Sequence, residues 1–404
     1  MTVGREAFSR AEPLWLPTLA SLRAELRALQ PRLASRVAAL RAGSLARCDR
    51  VWLNASAACP VPSRVIAELA QALAEPHVTL ERGADAHTQQ LGSLLEQHIA
   101  AFCSRYAEGY GTLVLGHNAT HVLLALGRTL LCEQPELGIA HGVLDHRASY
   151  MLSSLPGWQQ RVLVPYSETG FYERHTLTTL RADSVLLLNV LHHMFGTLQH
   201  DALDHISPDV AMIADLSQAI NMLPPSHSSR FMQRAFAAVF NLGKAFSPAS
   251  VGVLWLRDPE LAERVLEVNP ELSGSVSGLT VKTLASACSY LYEAVDDDWY
   301  AYVWTLTRYA MARLAELEHV SLIGCRSFET NTHKLGIVSL NVAGMTPTEL
   351  GMYLDSQGFA VRADGRCTAD GDSTREYDCV RLSLLPHITP DEIDALTDAL
   401  RACA

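Results

Sequence analysis

The stretch FAAVFNLGKAFSPASVGVLWLR, residues 236–257, contains two apolar runs that flank a short polar loop. Short apolar runs rich in Val, Phe and Leu are typical of strands buried in a sheet. The loop carries Lys244, one of only three lysines in the chain. A lysine in a partly buried pocket has a lowered pKa, which frees its amine to form a Schiff base with an aldehyde. The alternative is a lysine at a loop edge with its amine in water.

Five more apolar runs precede this stretch and alternate with segments of helical periodicity. They are TLVLG at 112–116, LGIAHG at 137–142, RVLVPY at 161–166, SVLLLNVL at 184–191 and VAMIADL at 210–216. Such alternation predicts an α/β domain around a mostly parallel, seven-stranded sheet. Ligands bind such sheets at the carboxyl ends of the strands, so the polar residues that follow each run are the candidate site.

The periodicity changes near both ends of the chain. Residues 1–47 are predicted to form an N-terminal helical extension rich in Leu, Ala and Arg. Residues 48–290 hold the strand-like runs and are predicted to form the large, ligand-binding domain. In residues 291–404 one helix precedes several strands and a last helix, which predicts a smaller α+β domain.

Composition excludes several classes of protein. The chain has 404 residues, 19% charged and 49% apolar, which is typical of a globular protein. A net charge of −11 disfavours a general nucleic-acid binder. No apolar stretch is long enough for a membrane span, and the N-terminus lacks a secretory signal, so we expect a cytoplasmic protein. The nine cysteines form no CxxC pair, and we expect no metal site.

Residues at the ends of two of the runs suggest a phosphorylated cofactor. Backbone N–H groups around Ala119, with the hydroxyl of Thr120, could hold a phosphate where a strand leads into a helix. Asp215 ends an apolar run, where a carboxylate needs a cation such as a pyridinium N–H. Gln218 could then meet a ring hydroxyl. Taken singly, these residues could equally be helix caps.

Histidines follow two other runs. His146 could stack on a ring, or it could be a packed or capping side chain. His192 and His193 are adjacent, and neighbours in a strand face opposite ways, so a role facing a ligand is favoured over a metal site. Together with Lys244 and Asp215, these residues supply what a pyridoxal phosphate site requires.

These motifs occur in an order that resembles the class V aminotransferase family of fold-type I pyridoxal phosphate enzymes. The family includes cysteine desulfurases, selenocysteine lyases, C–S lyases and isopenicillin N epimerase-like proteins. HNATHVL is similar to its phosphate segment GATEAIN, LDHRAS to EHHSN, ADLSQA to DGAQA, and NLGKAFSPASVGVLWLR to SGHKWLGPKGIGVLYVR. The resemblance implies that Lys244 holds the cofactor, that His146 stacks on its ring and that Asp215 and Gln218 bind the ring.

The resemblance extends to substrate-binding residues. VWLNASAACPVPSRV is similar to LDNAATTPVPPEV and places Asn54 near the substrate. AVRADGRCTADGDSTREYDCVRLSL resembles AVRAGHHCAQ…RASL, which puts Cys367 at the catalytic cysteine and Arg381 at the arginine that binds the α-carboxylate. A guanidinium binds a carboxylate in a bidentate manner. Cys367 could instead be an accidental loop cysteine.

The chain also departs from the family pattern. Asn241 replaces the serine that contacts the phosphate, Gly243 replaces the histidine before the lysine, and His193 replaces the usual asparagine. We therefore expect a specialised enzyme that cleaves the carbon–sulfur bond of cysteine or an S-substituted cysteine conjugate. An epimerase, aminotransferase or decarboxylating deaminase acting on an amino-acid-bearing natural product is the alternative. The resemblance also implies a homodimer, in which the loop at residues 273–282 could touch the partner's phosphate.

Overall fold

The computed structural model describes residues 18–75, 79–80, 85–273, 276–324, 333–363 and 378–403. The helices are α1 (Leu19–Arg41), α2 (Ser63–Leu73), α3 (Ala86–Tyr106), α4 (Ala119–Glu133), α5 (Arg147–Ser153), α6 (Arg174–Thr178), α7 (Pro225–Arg234), α8 (Pro259–Val268), α9 (Pro270–Ser273), α10 (Gly278–Ala294), α11 (Asp297–Leu314), α12 (Pro347–Ser356) and α13 (Pro390–Arg401). The strands are β1 (Val51–Trp52), β2 (Thr112–Gly116), β3 (Gly138–Gly142), β4 (Arg161–Val164), β5 (Ser184–Asn189), β6 (Ala211–Asp215), β7 (Ala237–Asn241), β8 (Gly252–Leu256), β9 (Val320–Leu322), β10 (Ile337–Val342), β11 (Phe359–Ala360) and β12 (Val380–Ser383).

The large sheet has the strand order β2-β8-β7-β6-β5-β3-β4. Strand β8 runs antiparallel to both of its neighbours, and the other pairings are parallel. The seven apolar runs in the sequence correspond to these seven strands, so the predicted mostly parallel α/β fold is confirmed. Helices cover both faces of the sheet, as parallel strands buried on both sides require.

Successive side chains of the sheet enter two separate cores. On β5, Val185 and Leu187 pack into one apolar cluster with α4 and α8, while Leu186 and Leu188 pack into the larger cluster on the other face. This alternation follows from the two-residue period of a strand. Because the strands are buried on both faces of the sheet, their sequences are continuously apolar. Polar side chains that could bind a ligand are therefore found at the strand ends.

The small sheet is antiparallel, with the order β12-β10-β9. Strand β1 pairs in parallel with β11, and Asn54 forms a bridge with Ser383 of β12. The N-terminal helix α1 packs along α11, where Arg32 and Arg36 form ion pairs with Asp298 and Asp296. Helix α1 therefore contacts the C-terminal part of the chain. The domain boundaries remain a proposal.

Two helices and one loop differ from the sequence prediction. The sequence pattern did not identify α3 or α10. The predicted loop at residues 273–282 is too long, because α10 begins at Gly278, and the side chain of Ser277 caps this helix by accepting a hydrogen bond from the Thr280 N–H at 3.1 Å. Its contact with a partner stays a prediction. No helix in the described part of the chain is long and apolar enough to cross a membrane.

Candidate active site

One cavity of about 200 Å³ lies at the carboxyl ends of the parallel strands. Its walls come from the segments that follow β2, β3, β5, β6 and β7. The cavity brings together most of the residues that the sequence predicts: Ala119, Thr120, His146, His193, Asp215, Gln218, Asn241 and Lys244. Cys367 lies outside the described residues.

The start of α4 forms one end of this cavity. The side chain of Asn118 caps the helix by accepting a hydrogen bond from the His121 N–H at 2.9 Å. N–H groups in the first turn of a helix lack partners within the helix, so they attract an anion. Gly252 of β8 allows the cap to approach, since a Cβ there would lie 2.1 Å from the Asn118 carbonyl oxygen. This end is suited to a phosphate.

Asp215 is the last residue of β6 and is buried, with 8% of its surface exposed. Its Oδ1 accepts a hydrogen bond from the Ser217 N–H at 2.8 Å. Burial raises the pKa of the Asp215 carboxyl, while Ser217 and the charge of Lys244 partly offset the rise. A buried carboxylate stays ionised when donors or a cation compensate it. Asp215 is therefore placed to pair with a protonated ring nitrogen.

His146 has a fixed ring orientation at the start of α5. Its Nδ1 accepts a hydrogen bond from the Ala148 N–H at 3.2 Å, which leaves the ring proton on Nε2. Burial, together with the nearby charge of Lys244, lowers the pKa of His146 to about 3. The ring meets the His193 ring edge to face, with 5.8 Å between centroids. His146 is thus a neutral imidazole at the cavity wall.

The two adjacent histidines have different environments. His192 Nε2 donates to the carbonyl of Leu144 at 3.1 Å, and its Nδ1 accepts from the N–H groups of Met194 and Phe195. His192 therefore stabilises a turn. His193 is 1% exposed, and neither of its ring nitrogens has a hydrogen-bond partner among the described residues. Burial and the neighbouring His192 hold the pKa of His193 well below its usual value.

Gln218 and Asn241 complete the polar lining. Gln218 Nε2 donates to the carbonyl of Ser56 at 3.4 Å. Asn241 ends β7, where its Oδ1 accepts from the Gly243 N–H at 2.8 Å and its Nδ2 donates to Ser250 Oγ at 2.8 Å. Asn241 therefore ties the end of β7 to the loop before β8.

Lys244 ends a short 3₁₀ turn after β7 and is half-buried. Asn221 Nδ2 donates to its carbonyl at 2.8 Å. Two residues later, Phe246 has φ of 66°, a left-handed conformation that costs a non-glycine residue about 1–3 kcal/mol. The buried Phe246 ring packs against Tyr290, 4.9 Å between centroids, so packing maintains the strained turn. The turn directs Lys244 to the cavity.

Two further predicted residues, Arg381 and Asn54, lie at the small sheet. Arg381 of β12 is buried, and its Nη1 donates to the carbonyl of His193 at 2.9 Å. Its backbone pairs with Arg362 through hydrogen bonds of 2.7 and 3.2 Å. Asn54 lies beside β12, and its Oδ1 is buried without a hydrogen-bond partner in the described ranges. Neither Arg381 nor Asn54 lines the 200 Å³ cavity itself.

A buried polar network behind the site was not predicted from the sequence. Asp145 is fully buried; it accepts hydrogen bonds from the hydroxyls of Tyr166 and Tyr172, the latter at 3.2 Å, and from the Gly142 N–H at 2.8 Å. Burial raises the pKa of Asp145 to about 7, and these donors limit the rise. The acid directly precedes His146, so the network braces the loop that carries the ring.

The same network reaches the cavity floor. Tyr172 accepts a hydrogen bond from the backbone N–H of Asn189 at 3.1 Å. Asn189 lines the cavity and is the register partner of Asp215 on the neighbouring strand. Cross-strand partners in a parallel sheet lie side by side. The only hint in the sequence is an acid and two tyrosines close to the ends of β3 and β4, which does not specify their contacts.

The cavity fits pyridoxal phosphate. The start of α4 suits its phosphate, Asp215 its ring nitrogen, His146 its ring face and Lys244 its aldehyde. The buried ring nitrogens of His193 would gain a partner from such a ligand, since buried polar atoms without partners are rare in the interior of a protein. Among the described residues, no cluster of three or more His, Cys, Asp or Glu side chains could hold a metal ion.

Comparisons with known proteins place the chain among enzymes of this kind. The model of the family described as aminotransferase class-V matches residues 51–396. A cysteine desulfurase of Pectobacterium atrosepticum is 24% identical over 393 residues, which cover 87% of this chain and 92% of that protein.

Solved structures show the same fold at low identity. The apo structure of a cysteine desulfurase from Thermococcus onnurineus has a TM-score of 0.75 and 14% identity, and the match covers 88% of this chain and 94% of that one. A cysteine desulfurase from Escherichia coli, solved with an S-sulfonic acid, has a TM-score of 0.71 and 17% identity, and covers 95% and 98%. At these identities the likeness establishes the fold.

Proposed function

Since the chain belongs to the class-V aminotransferase family and is a pyridoxal phosphate-dependent enzyme, we propose that it cleaves the carbon–sulfur bond of cysteine or of an S-substituted cysteine. The observation that carries the proposal is the hydrogen bond from Arg381 to the carbonyl of His193. It places a guanidinium next to the cavity that holds Lys244 and Asp215. A carboxylate anchor beside an amine-reactive lysine is what an α-amino acid requires.

The large domain holds the cofactor. N–H groups at Ala119 and Thr120, with Asn241, would bind the phosphate, while Asp215 would keep the ring nitrogen protonated and Gln218 would meet the ring hydroxyl. Bound pyridoxal phosphate supplies an electron-accepting ring that stabilises negative charge at the substrate α-carbon.

Arg381, Asn54 and His193 hold the substrate. Arg381 binds the α-carboxylate in a bidentate manner. Asn54 and His193 each have buried polar atoms that lack a partner among the described residues, and these atoms can bond to the substrate. A bound amino acid would therefore remove an energetic cost that the free protein carries, because an unsatisfied buried polar atom costs about 1–3 kcal/mol.

Lys244 is the best proton acceptor for the α-carbon. His146 and His193 also face the cavity, but their lowered pKa values make them weak bases near pH 7. Both rings are neutral, so they act as hydrogen-bond partners that orient the substrate. Lys244 lies at the cavity wall, where its amine would hold the cofactor and, when not so engaged, would accept the proton.

The fate of the sulfur depends on Cys367. If its thiolate attacks the substrate sulfur, the C–S bond breaks, alanine is released and Cys367 carries a persulfide. If Cys367 does not take part, β-elimination expels a thiolate, and hydrolysis of the remainder yields pyruvate and ammonia. The relatives named cysteine desulfurases favour the first course for cysteine. The second course is the one open to an S-substituted cysteine.

A second function is favoured by His193. A buried imidazole stands where cysteine desulfurases carry an asparagine, so this pocket can serve a different substrate. We propose as the alternative an epimerase, aminotransferase or decarboxylating deaminase acting on an amino-acid-bearing natural product. In either case we propose a place in specialised metabolism.

The homodimer and the cytoplasmic location remain predictions, and light scattering of the purified holoenzyme tests the dimer.

The test uses holoenzyme with L-cysteine and with S-methyl-L-cysteine. We expect alanine with a protein-bound persulfide, or pyruvate with sulfide or methanethiol. The absence of all these products would contradict C–S cleavage. Racemised or transaminated amino acid in their place would support the alternative. Cys367→Ala separates the two courses, because it abolishes alanine formation from cysteine and leaves β-elimination of S-methylcysteine intact.

A further inference from the structure

A second cavity of about 480 Å³ lies next to the first. We call it the side chamber; its walls are formed by Ser44, Leu45, Cys48, Trp52, Ala57, Ala58, Cys59, Pro60, Val61, Asn241, Gly243, Lys244, Ser247, Pro248 and Ser250. Asn241 and Lys244 line both cavities, so Lys244 lies where they meet. A ligand held near Lys244 could therefore extend into the side chamber.

The walls of the side chamber are mainly apolar. Leu45, Trp52, Val61 and Pro248 line it, and Lys244 is the one charged side chain among its described lining residues. The indole N–H of Trp52 already donates to the carbonyl of Ala58 at 3.1 Å. The chamber is therefore suited to an uncharged, apolar group.

The thiol of Cys59 in the wall is not reactive. Burial raises the pKa of Cys59 to about 12, so the thiol stays protonated at neutral pH. Its backbone N–H donates to the carbonyl of Gly243 at 3.1 Å. This bond ties the N-terminal wall of the chamber to the turn that carries Lys244, so the chamber and the lysine form one unit.

Gly243 contributes to the open space of the chamber. A Cβ built on Gly243 would meet Asn241 Oδ1 at 3.2 Å, and its next neighbours would be 3.8 Å away. A side chain at this position would therefore project into room that is now empty. The absence of a side chain directly before Lys244 widens the chamber next to that lysine.

We propose that the side chamber binds the apolar S-substituent of a cysteine conjugate, such as an S-alkyl or S-aryl group. The proposal rests on the proposed C–S cleavage. The volume lies within the roughly 300–1,000 Å³ of small-molecule pockets, whereas the side chain of cysteine alone is far too small to fill it. An anionic substituent would find no cation in the described wall except Lys244, which the reaction itself uses.

The test measures binding without turnover. Desamino analogues cannot react with the cofactor, so calorimetry on the holoenzyme compares 3-(benzylthio)propionate with 3-(methylthio)propionate. We expect the benzyl compound to bind at least about tenfold more tightly, since several more apolar carbons are buried. Equal affinities for the two compounds would overturn the proposal.

Variants test whether the benzyl group binds in the side chamber. Leu45→Trp narrows the chamber and should remove the benzyl advantage, with Ala58→Leu as a second variant if the first does not fold. Leu163→Trp makes the same change at a half-exposed position on β4, outside the chamber, and should keep the advantage. Retention of the benzyl advantage in both chamber variants would overturn the proposal. The proposal would also be overturned if these variants changed the oligomeric state of the enzyme but left its preference for the benzyl compound unchanged.

The outcomes separate this inference from the proposed function. Cleavage of S-methyl-L-cysteine with no benzyl advantage would overturn the chamber assignment alone. A benzyl advantage that Leu45→Trp removes, in an enzyme that cleaves neither cysteine nor an S-substituted cysteine, would overturn the proposed reaction and support the apolar specificity of the chamber.

Discussion

The cofactor end and the substrate end of the site are built differently. At the cofactor end, Asp215, Asn241 and His146 lie at or just after the ends of strands of the large sheet, and each accepts a hydrogen bond from a nearby backbone N–H. At the substrate end, His193 and Asn54 carry buried polar atoms without partners among the described residues. The first end is preorganised by the fold, while the second is completed by a ligand.

The largest expected effect comes from the preorganised end. Asp215→Ala should lower kcat by about 10²–10³-fold, because it removes a fixed charge aimed at the ring nitrogen. Asp215→Ala removes a buried carboxyl with a raised pKa, but it also removes the acceptor of the Ser217 N–H, so these opposing terms should change the free energy of unfolding by less than about 1 kcal/mol. Steady-state kinetics and urea unfolding measure the two quantities.

The matched control for this variant is Asp209→Ala. Asp209 is exposed in the loop before β6, so its removal should change neither kcat nor stability. If the control and Asp215→Ala behaved alike, the cofactor end would not be the preorganised part of the site.

Arg381→Ala should act on substrate binding. We expect KM for S-methyl-L-cysteine to rise on the order of 10²-fold, since a buried carboxylate partner is lost. Arg401→Ala, which removes a half-exposed arginine on α13, serves as the control. S-methylcysteamine has no carboxylate, so Arg381→Ala should not weaken its binding. An equal loss for both compounds would show that Arg381 acts through structure and not through the carboxylate.

The adjacent residues His192 and His193 show the same contrast between a structural and a ligand-binding role within one turn. His192→Ala should lower the free energy of unfolding by about 1–3 kcal/mol, because the Leu144 carbonyl and two backbone N–H groups lose their partner. His193→Ala should cost less stability and should change the relative kcat/KM of cysteine and S-methylcysteine. Chemical denaturation measures the free energy of unfolding of both variants, and steady-state kinetics measure their relative kcat/KM. The reverse pattern would contradict the assignment of His192 to structure and His193 to the substrate.

The change with the smallest expected effect on catalysis concerns Asp145 and acts through pH. Burial raises the pKa of Asp145 from an ordinary value of 3.8 to about 7, so its protonated form is favoured in the folded state. The stability that this contributes is complete below about pH 4 and is lost as the pH rises through 7. Between pH 5 and 8 the wild type should therefore lose about 2 kcal/mol relative to Asp145→Asn. Parallel pH profiles of the two proteins would contradict the raised pKa.

The sequence pattern is sufficient to predict the strands of the large sheet, because these strands are buried on both faces and are therefore apolar runs. The residues at their ends follow from topology, since parallel strands bring their carboxyl ends together. The helices α3 and α10 were missed, because each mixes polar and apolar positions without a single clear stripe.

Other features could not be read from the sequence for physical reasons. Which of His192 and His193 faces the cavity depends on strand register, and a shift of one residue exchanges them. The contact of Tyr166 with Asp145 depends on the pairing of β4 with β3 at the sheet edge, a long-range event. The prediction for Cys367 lies outside the described residues and stays a prediction.

The central claim is that Lys244 carries the cofactor. The direct test is borohydride reduction of the holoenzyme, followed by peptide mass spectrometry. The account predicts a pyridoxyl group on the peptide that contains Lys244 and none on Lys282 or Lys334, the other two lysines of the chain. A pyridoxyl group on either of those lysines, or on no peptide of folded protein supplied with pyridoxal phosphate, would contradict it.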